Sequence, residues 1–227
     1  MRKMMVRDYF PVLKGKLRAK LTERHGKYAF LHSLPHAAKV LDVGCGNNSA
    51  LKFKQQRPDI HYTGYDIGDY NLSLSSKSKM DDYIITTPEK FADNLLLLGT
   101  FDAITISHTL EHCFDWQAVV TNVSECLVPG GKLFLSFPSS SSLNFPSRKG
   151  TLNFRDDPTH VDVIKLVDCE KTLKDCKLKI TVKHQNYRPL FWWIYGAINE
   201  FKSKKQKRVL KGTWAYWGFE TVMWAKK

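Results

Sequence analysis

None of the five cysteines, at positions 45, 113, 126, 169 and 176, belongs to a Cys-x-x-Cys pair. Cys169 and Cys176 also lack a companion His/Cys set at zinc-site spacing, so no metal site is expected. Their odd number argues against a disulfide framework, and all five are expected as reduced thiols in a cytoplasmic compartment. The longest apolar run, near 190–198, is far shorter than the ~20 residues a helical membrane span needs. Met1-Arg2-Lys3-Met4-Met5-Val6-Arg7-Asp8 has no apolar stretch before its charges resume, so no secretory signal is expected. No internal repeat or low-complexity tract stands out. Acidic residues are few: 22 Asp and Glu face 35 Lys and Arg, for a formal net charge of +13. That balance favours an anionic partner, whether nucleic acid, an acidic membrane surface or an anionic small molecule.

What remains is a chain of 227 residues, 43% hydrophobic and 25% charged, long enough to bury a sizeable core. One domain with elaborations is expected. Residues 1–37 form an N-terminal helical extension, with a basic helix over 11–32 that carries Lys14, Lys16, Arg18, Lys20, Arg24 and Lys27. Residues 38–186 form the core. Strands are predicted at 39–43, 60–65, 83–86, 101–107, 132–137 and 179–185. Helices follow the first strand to about 56 and then cover 88–98, 115–127 and 159–175. Such alternation predicts an α/β, doubly wound sheet. Residues 187–212 are an aromatic and basic insertion, and 213–227 contain the last strand.

The sharpest motif is Val40-Leu41-Asp42-Val43-Gly44-Cys45-Gly46-Asn47-Asn48, a buried strand running into a Gly-rich turn that opens a helix. Open α/β sheets bind ligands at such strand ends. Asp42 is expected to project from the strand end and take a hydrogen bond from a cationic amine. Asp66 ends the next strand, where a carboxylate suits two ribose hydroxyls. A dinucleotide fingerprint would need Gly at position 49, which is Ser49. The two acids favour a ligand with an amino-acid cation at one end and a nucleoside at the other.

On four ordered segments the chain resembles class I, Rossmann-like S-adenosylmethionine-dependent methyltransferases: LDVGCG at 41–46, YTGYD at 62–66, FDAITISHTLEH at 101–112 and LVPGGKLFLSFP at 127–138. The resemblance spans roughly 38–186 and the final strand. It implies a seven-stranded sheet with an antiparallel last strand, and S-adenosylmethionine as cofactor. It also implies that Asp42, Gly44, Cys45 and Gly46 line the methionine end and that Asp66 holds the ribose. Ile67, Thr87 and Glu89 would meet adenine, and Ser107 and His108 would face the sulfonium region. Where many members have a third Gly this chain has Asn48, which tolerates left-handed backbone angles.

An acceptor hydroxyl needs a base, and histidine suits that role near neutral pH. His160, in Asp156-Asp157-Pro158-Thr159-His160, is the first candidate, with Asp157 either orienting it or capping a helix with Thr159. His108 is the second candidate, and His112 is either an anchor or a site residue. Ser139–Ser142 could hydrogen-bond a polyhydroxylated acceptor, and Arg155 could hold an anionic one. Leu190-Phe191-Trp192-Trp193-Ile194-Tyr195, followed by Lys202, Lys204, Lys205, Lys207, Arg208 and Lys211, suits an anionic membrane, sugar faces or exposed bases, or is a packed lid. The expected reaction is O-methylation of a sugar or lipid-linked glycan hydroxyl, by resemblance to small bacterial methyltransferases of surface-polysaccharide biosynthesis. An RNA or DNA methyltransferase and a non-catalytic accessory protein are the alternatives.

Overall fold

The computed structural model describes residues 15, 17, 19 and 21–227. Much of the basic helix expected over 11–32, including Lys14, Lys16, Arg18 and Lys20, lies outside them. Among the described residues that helix is interrupted at 23–26, and α1 covers Lys27–His32. Gly26, in extended backbone, forms the break.

The core is a seven-stranded sheet. It comprises β1 (Lys39–Val43), β2 (His61–Asp66), β3 (Asp82–Ile85), β4 (Phe101–Ser107), β5 (Leu127–Pro138), β6 (Lys179–His184) and β7 (Glu220–Lys226). Their order in the sheet is β3-β2-β1-β4-β5-β7-β6. β1 to β5 run parallel, and β7 inserts antiparallel between β5 and β6. This is the doubly wound Rossmann-like layout the alternation predicts. The strand direction of the order reverses between β1 and β4, and ligand crevices form at such a switch point.

Strand alternation divides the core in two. Leu41 and Val43 of β1 join Ile104, Ile106, Leu133 and Leu135 under α4 (Trp116–Glu125), with Val119, Val120 and Val123 packed on them. Val40 joins Tyr62, Ala103 and Phe134 on the other face, under Phe30 of α1 and Phe53 of α2 (Ser49–Gln56). Asp115 caps α4 as its sequence predicts, accepting the Ala118 amide at 2.8 Å.

Several boundaries depart from the sequence reading. Residues 88–98 form two 3-10 turns, Pro88–Lys90 and Asp93–Leu97, instead of a helix. Within 71–79 there is a short helix, α3 (Leu74–Lys77), capped by Ser73. The helix expected at 159–175 starts seven residues later, as α5 (Leu166–Asp175). Residues ahead of it are held extended, and the Val161 amide donates to the Glu111 carbonyl at 2.8 Å.

The aromatic and basic insertion is a 17-residue helix, α6 (Leu190–Gln206), followed by α7 (Thr213–Trp217). The two pack closely: a Cβ on Gly196 would stand 2.1 Å from the Gly212 carbonyl oxygen. A buried ion pair anchors α6, with Arg148 reaching Glu200 at 2.6 Å and Ser203 at 2.7 Å. Removing one member leaves an uncompensated buried charge, a loss of about 3–5 kcal/mol. Arg148→Met is therefore expected to lower the melting temperature markedly, and Arg148→Met with Glu200→Leu to recover most of the loss in calorimetry.

His25 is tied to β6: its Nδ1 lies 2.6 Å from His184 Nε2, with the rings stacked at 4.7 Å. Burial holds both pKa values below the ordinary 6.5. A histidine depressed in the fold contributes stability above its unfolded pKa, and that contribution fades as pH falls below it. Thermal stability should therefore drop as pH decreases from about 6.5, and His184→Gln should flatten that drop in melting curves.

Candidate active site

A cavity of about 1310 Å³ opens over the carboxyl ends of β1, β2 and β4. Gly44, at φ +74°, starts the turn after β1, and a Cβ there would strike Thr109 Oγ1 at 2.0 Å. Asn47 and Asn48 continue it at φ 54° and 59°, so Asn does supply the left-handed backbone where a third Gly would stand. Asn48 also accepts from the Ser73 amide at 2.9 Å, tying the turn to α3.

Asp66 lies at the cavity wall, with the Gly46 amide 3.0 Å from one carboxylate oxygen and its neighbour's amide, from Ile67, 2.8 Å from the other. Burial raises its pKa against those bonds. Ile67, half exposed, and Glu89, fully exposed, stand at the lip, whereas Thr87 is turned toward Glu89 outside the lining.

Two residues expected at the methionine end are elsewhere. Asp42 does not project into the crevice; it is 1% exposed and shares a strand face with Val40 beneath α2. Its oxygens accept from Tyr62 Oη at 2.7 Å and Thr105 Oγ1 at 2.5 Å. Two-residue strand periodicity puts it there, because the side chain two residues before the turn points into the layer. The Cys45 side chain is likewise buried, facing Gly64 and Met80, and burial pushes its thiol pKa far up.

The acceptor side is built from segments far apart in the chain. Ser107, bonded to Ser136 at 2.9 Å, and His108 follow β4. His108 lies between two carboxylates, Glu111 Oε1 at 3.1 Å and Glu220 Oε1 at 2.8 Å. Despite opposing burial, these carry its pKa up to about 10. It is an imidazolium at neutral pH with both N–H groups engaged, so it cannot serve as the base proposed for it. Trp214 and Phe219 pack on its ring.

His160 also departs from its expected surroundings. Its Nδ1 donates to the Phe154 carbonyl at 2.6 Å, and Asp157 does not hold it. Asp157 accepts instead from the Thr159 amide and hydroxyl at 2.9 and 2.6 Å. The Thr159 oxygens in turn receive His112 Nδ1, at 2.9 Å for the hydroxyl and 3.2 Å for the carbonyl. The His112 and His160 rings are 4.9 Å apart and both line the cavity. Residues 139–142 do not line it; Ser139 and Ser142 are buried, and Arg155 is exposed. Glu111, Glu220, Trp214 and Phe219 were not singled out as site residues. A local signal existed for Glu111, within LEH, and for Trp214, within the aromatic segment, but Glu220 has none.

Residues 13–182 match the family described as "Methyltransferase domain". A ubiquinone biosynthesis O-methyltransferase of Xanthomonas axonopodis is 34% identical over 107 residues, 45% of this chain and 44% of that protein. One of Escherichia coli is 34% identical over 103 residues, 43% of this chain and 42% of that protein. The match thus spans less than half of either relative. Among solved structures, an S-adenosylmethionine-dependent methyltransferase from Mesorhizobium loti superimposes with a TM-score of 0.60 at 15% identity, covering 88% of this chain and 96% of that one. Another, from Archaeoglobus fulgidus, gives 0.54 at 17%, covering 95% and 94%. The chain therefore belongs to the methyltransferase-domain family, and its fold is the Rossmann-like one of the solved methyltransferases it superimposes on.

Proposed function

We propose that this methyltransferase acts on a hydroxyl of a small acceptor, which it meets at an anionic membrane surface. When bound, the cofactor supplies a methyl group already activated by its sulfonium. The donor set of the cavity fits it: the Asp66 carboxylate suits the two ribose hydroxyls, Ile67 and Glu89 lie at the adenine end, and the backbone of Gly44, Gly46 and Ser107 runs along the methionine end.

The observation that carries the hydroxyl reading is the state of His160. The Phe154 carbonyl can only accept, so Nδ1 is the donor and Nε2 is the ring nitrogen left to accept a proton. His112 is oriented in the same way, because the Thr159 carbonyl also only accepts. An alcohol or phenol must lose its proton as its oxygen is alkylated, and these nitrogens suit that need. His160→Ala is expected to lower turnover by about 100-fold or more at unchanged cofactor affinity. Collapse of affinity with turnover per bound cofactor intact would rule out a role in deprotonation.

The sugar acceptor and an aromatic hydroxyl are the two arms of the assay with labelled cofactor. The relatives named above carry quinone-biosynthesis names, and Phe114, Trp214 and Phe219 in the cavity lining suit a flat ring. Labelled product in the aromatic fraction of a cell extract is the expected outcome.

Membrane contact is read from α6, which lies beyond the family match. Phe191, Ile194, Ile198 and Phe201 follow helical spacing and are all exposed, Ile198 and Phe201 by 74% and 81%. Lys202, Lys204, Lys205, Lys207 and Arg208 continue the same end with positive charge. An apolar stripe beside a basic cluster fits the boundary of an anionic bilayer. No described helix is long and apolar enough to cross one. Ile198→Glu with Phe201→Glu should weaken sedimentation with anionic vesicles at least about tenfold, with turnover on a soluble acceptor retained.

A further inference from the structure

We propose that Glu111, His112 and His160 form a binding site for a divalent transition-metal ion of the zinc class, open toward the acceptor. One ligating atom from each of the three side chains lies within 4.8 Å of the others. Tetrahedral zinc, at about 2.1 Å from its ligands, needs them about 3.4 Å apart, so the largest closure required is roughly 1.4 Å. A movement of that size is what binding would have to draw from the two cavity-lining histidines.

The second observation is an orphan. Glu111 is 1% exposed, and its Oε2 is a buried carboxylate oxygen with no hydrogen-bond partner. His108 pairs only the other oxygen, so the desolvation of this one is left without a hydrogen bond to offset it. A cation bound there removes that cost. Its other oxygen is held by His108 Nδ1 at 3.1 Å, which fixes the carboxylate's orientation.

Both histidines are prepared as ligands in the same way. His112 Nδ1 is bound to Thr159, and Thr159 is held by Asp157. His160 Nδ1 is bound to the Phe154 carbonyl. Each ring therefore has its tautomer set by a supporting contact and keeps Nε2 for a metal, the arrangement metal-ligating histidines show. The backbone supports the grouping: Val161 N–H donates to the Glu111 carbonyl, which sets residue 160 beside residue 111. Two imidazoles and a carboxylate select zinc or a related first-row ion over magnesium, which prefers all-oxygen ligands. Three protein ligands leave a fourth position open, as in catalytic zinc sites. An acceptor oxygen at that position would be made more acidic. With the ion bound, the acceptor's proton would pass to solvent water in the open cavity and His160 would serve as a ligand; without it, His160 Nε2 is left to take that proton directly.

The use of the site rests on the hydroxyl-acceptor reading, but its existence does not, and it is tested without cofactor or acceptor. The full chain, stripped with a chelator and dialysed, is titrated with zinc by calorimetry and with cobalt(II) by visible absorption. The expected result is one saturable ion per chain with a nitrogen and oxygen ligand spectrum. His160→Ala and His112→Ala, each checked for folding by circular dichroism, should weaken binding at least about 100-fold, beyond the 10- to 100-fold typical of losing a supporting contact. Glu111→Gln should do the same. Should that variant fail to fold, the two histidine variants decide. Absence of saturable binding, affinity unchanged in both histidine variants, or a cobalt spectrum dominated by thiolate would overturn the site. If metal binds as described and no hydroxyl is methylated, the functional reading fails while the metal site stands.

Discussion

Asp66→Asn should weaken binding of the demethylated cofactor product, S-adenosylhomocysteine, by roughly 30- to 1000-fold in calorimetry. Asp66 is the carboxylate at the cavity wall, and the Gly46 and Ile67 amides fix its orientation. Hydroxyl bonds to a charged acceptor are worth ~1.5–3 kcal/mol each. The amide keeps one acceptor oxygen and loses the charge, so a total loss of ~2–4 kcal/mol is expected, which converts to that range. The substitution is nearly isosteric, and the melting temperature should shift by only a few degrees. Unchanged affinity in a folded variant would remove Asp66 from the ribose site.

Asp42→Ala should have the opposite signature. Its carboxylate takes the hydroxyl protons of Tyr62 and Thr105 inside the layer between β1 and α2. Removing it orphans two buried donors, at about 1–3 kcal/mol each. A loss of roughly 3 kcal/mol lowers the melting temperature of a chain this size by about 6–12 °C. Cofactor affinity, measured well below the transition, should stay within about threefold. A large affinity loss at unchanged stability would return Asp42 to the crevice, where the motif alone had put it.

The contrast between the two aspartates marks how far local pattern carries. Strand–turn–helix at 39–56 follows from β-branched residues meeting glycine and asparagine, whose backbone preferences are intrinsic. Asp66 is legible for a similar reason, because the last residue of a strand faces the turn. Asp42 is misread because it lies two residues inside the strand, where alternation governs the side chain and a neighbour such as Tyr62 can claim it. His108 is misread for a different reason. Its basicity depends on Glu220, 112 residues away, and on a strand that inserts out of sequential order. The late start of α5 follows from the Val161–Glu111 backbone bond, a tertiary contact that overrides a plausible helix N-terminus.

Hydrophobic periodicity and turn chemistry are short-range properties, and they were enough to predict an α/β sheet and the aromatic, basic character of residues 187–212, whereas the cofactor class came from the resemblance of four ordered motifs. The protonation of His108, the burial of Asp42 and the meeting of Glu111 with His160 arise from chain segments that approach only once the sheet is wound. Electrostatics and hydrogen bonding fall off over a few ångströms, so the chemistry of those groups depends on spatial neighbours that separation along the chain does not disclose.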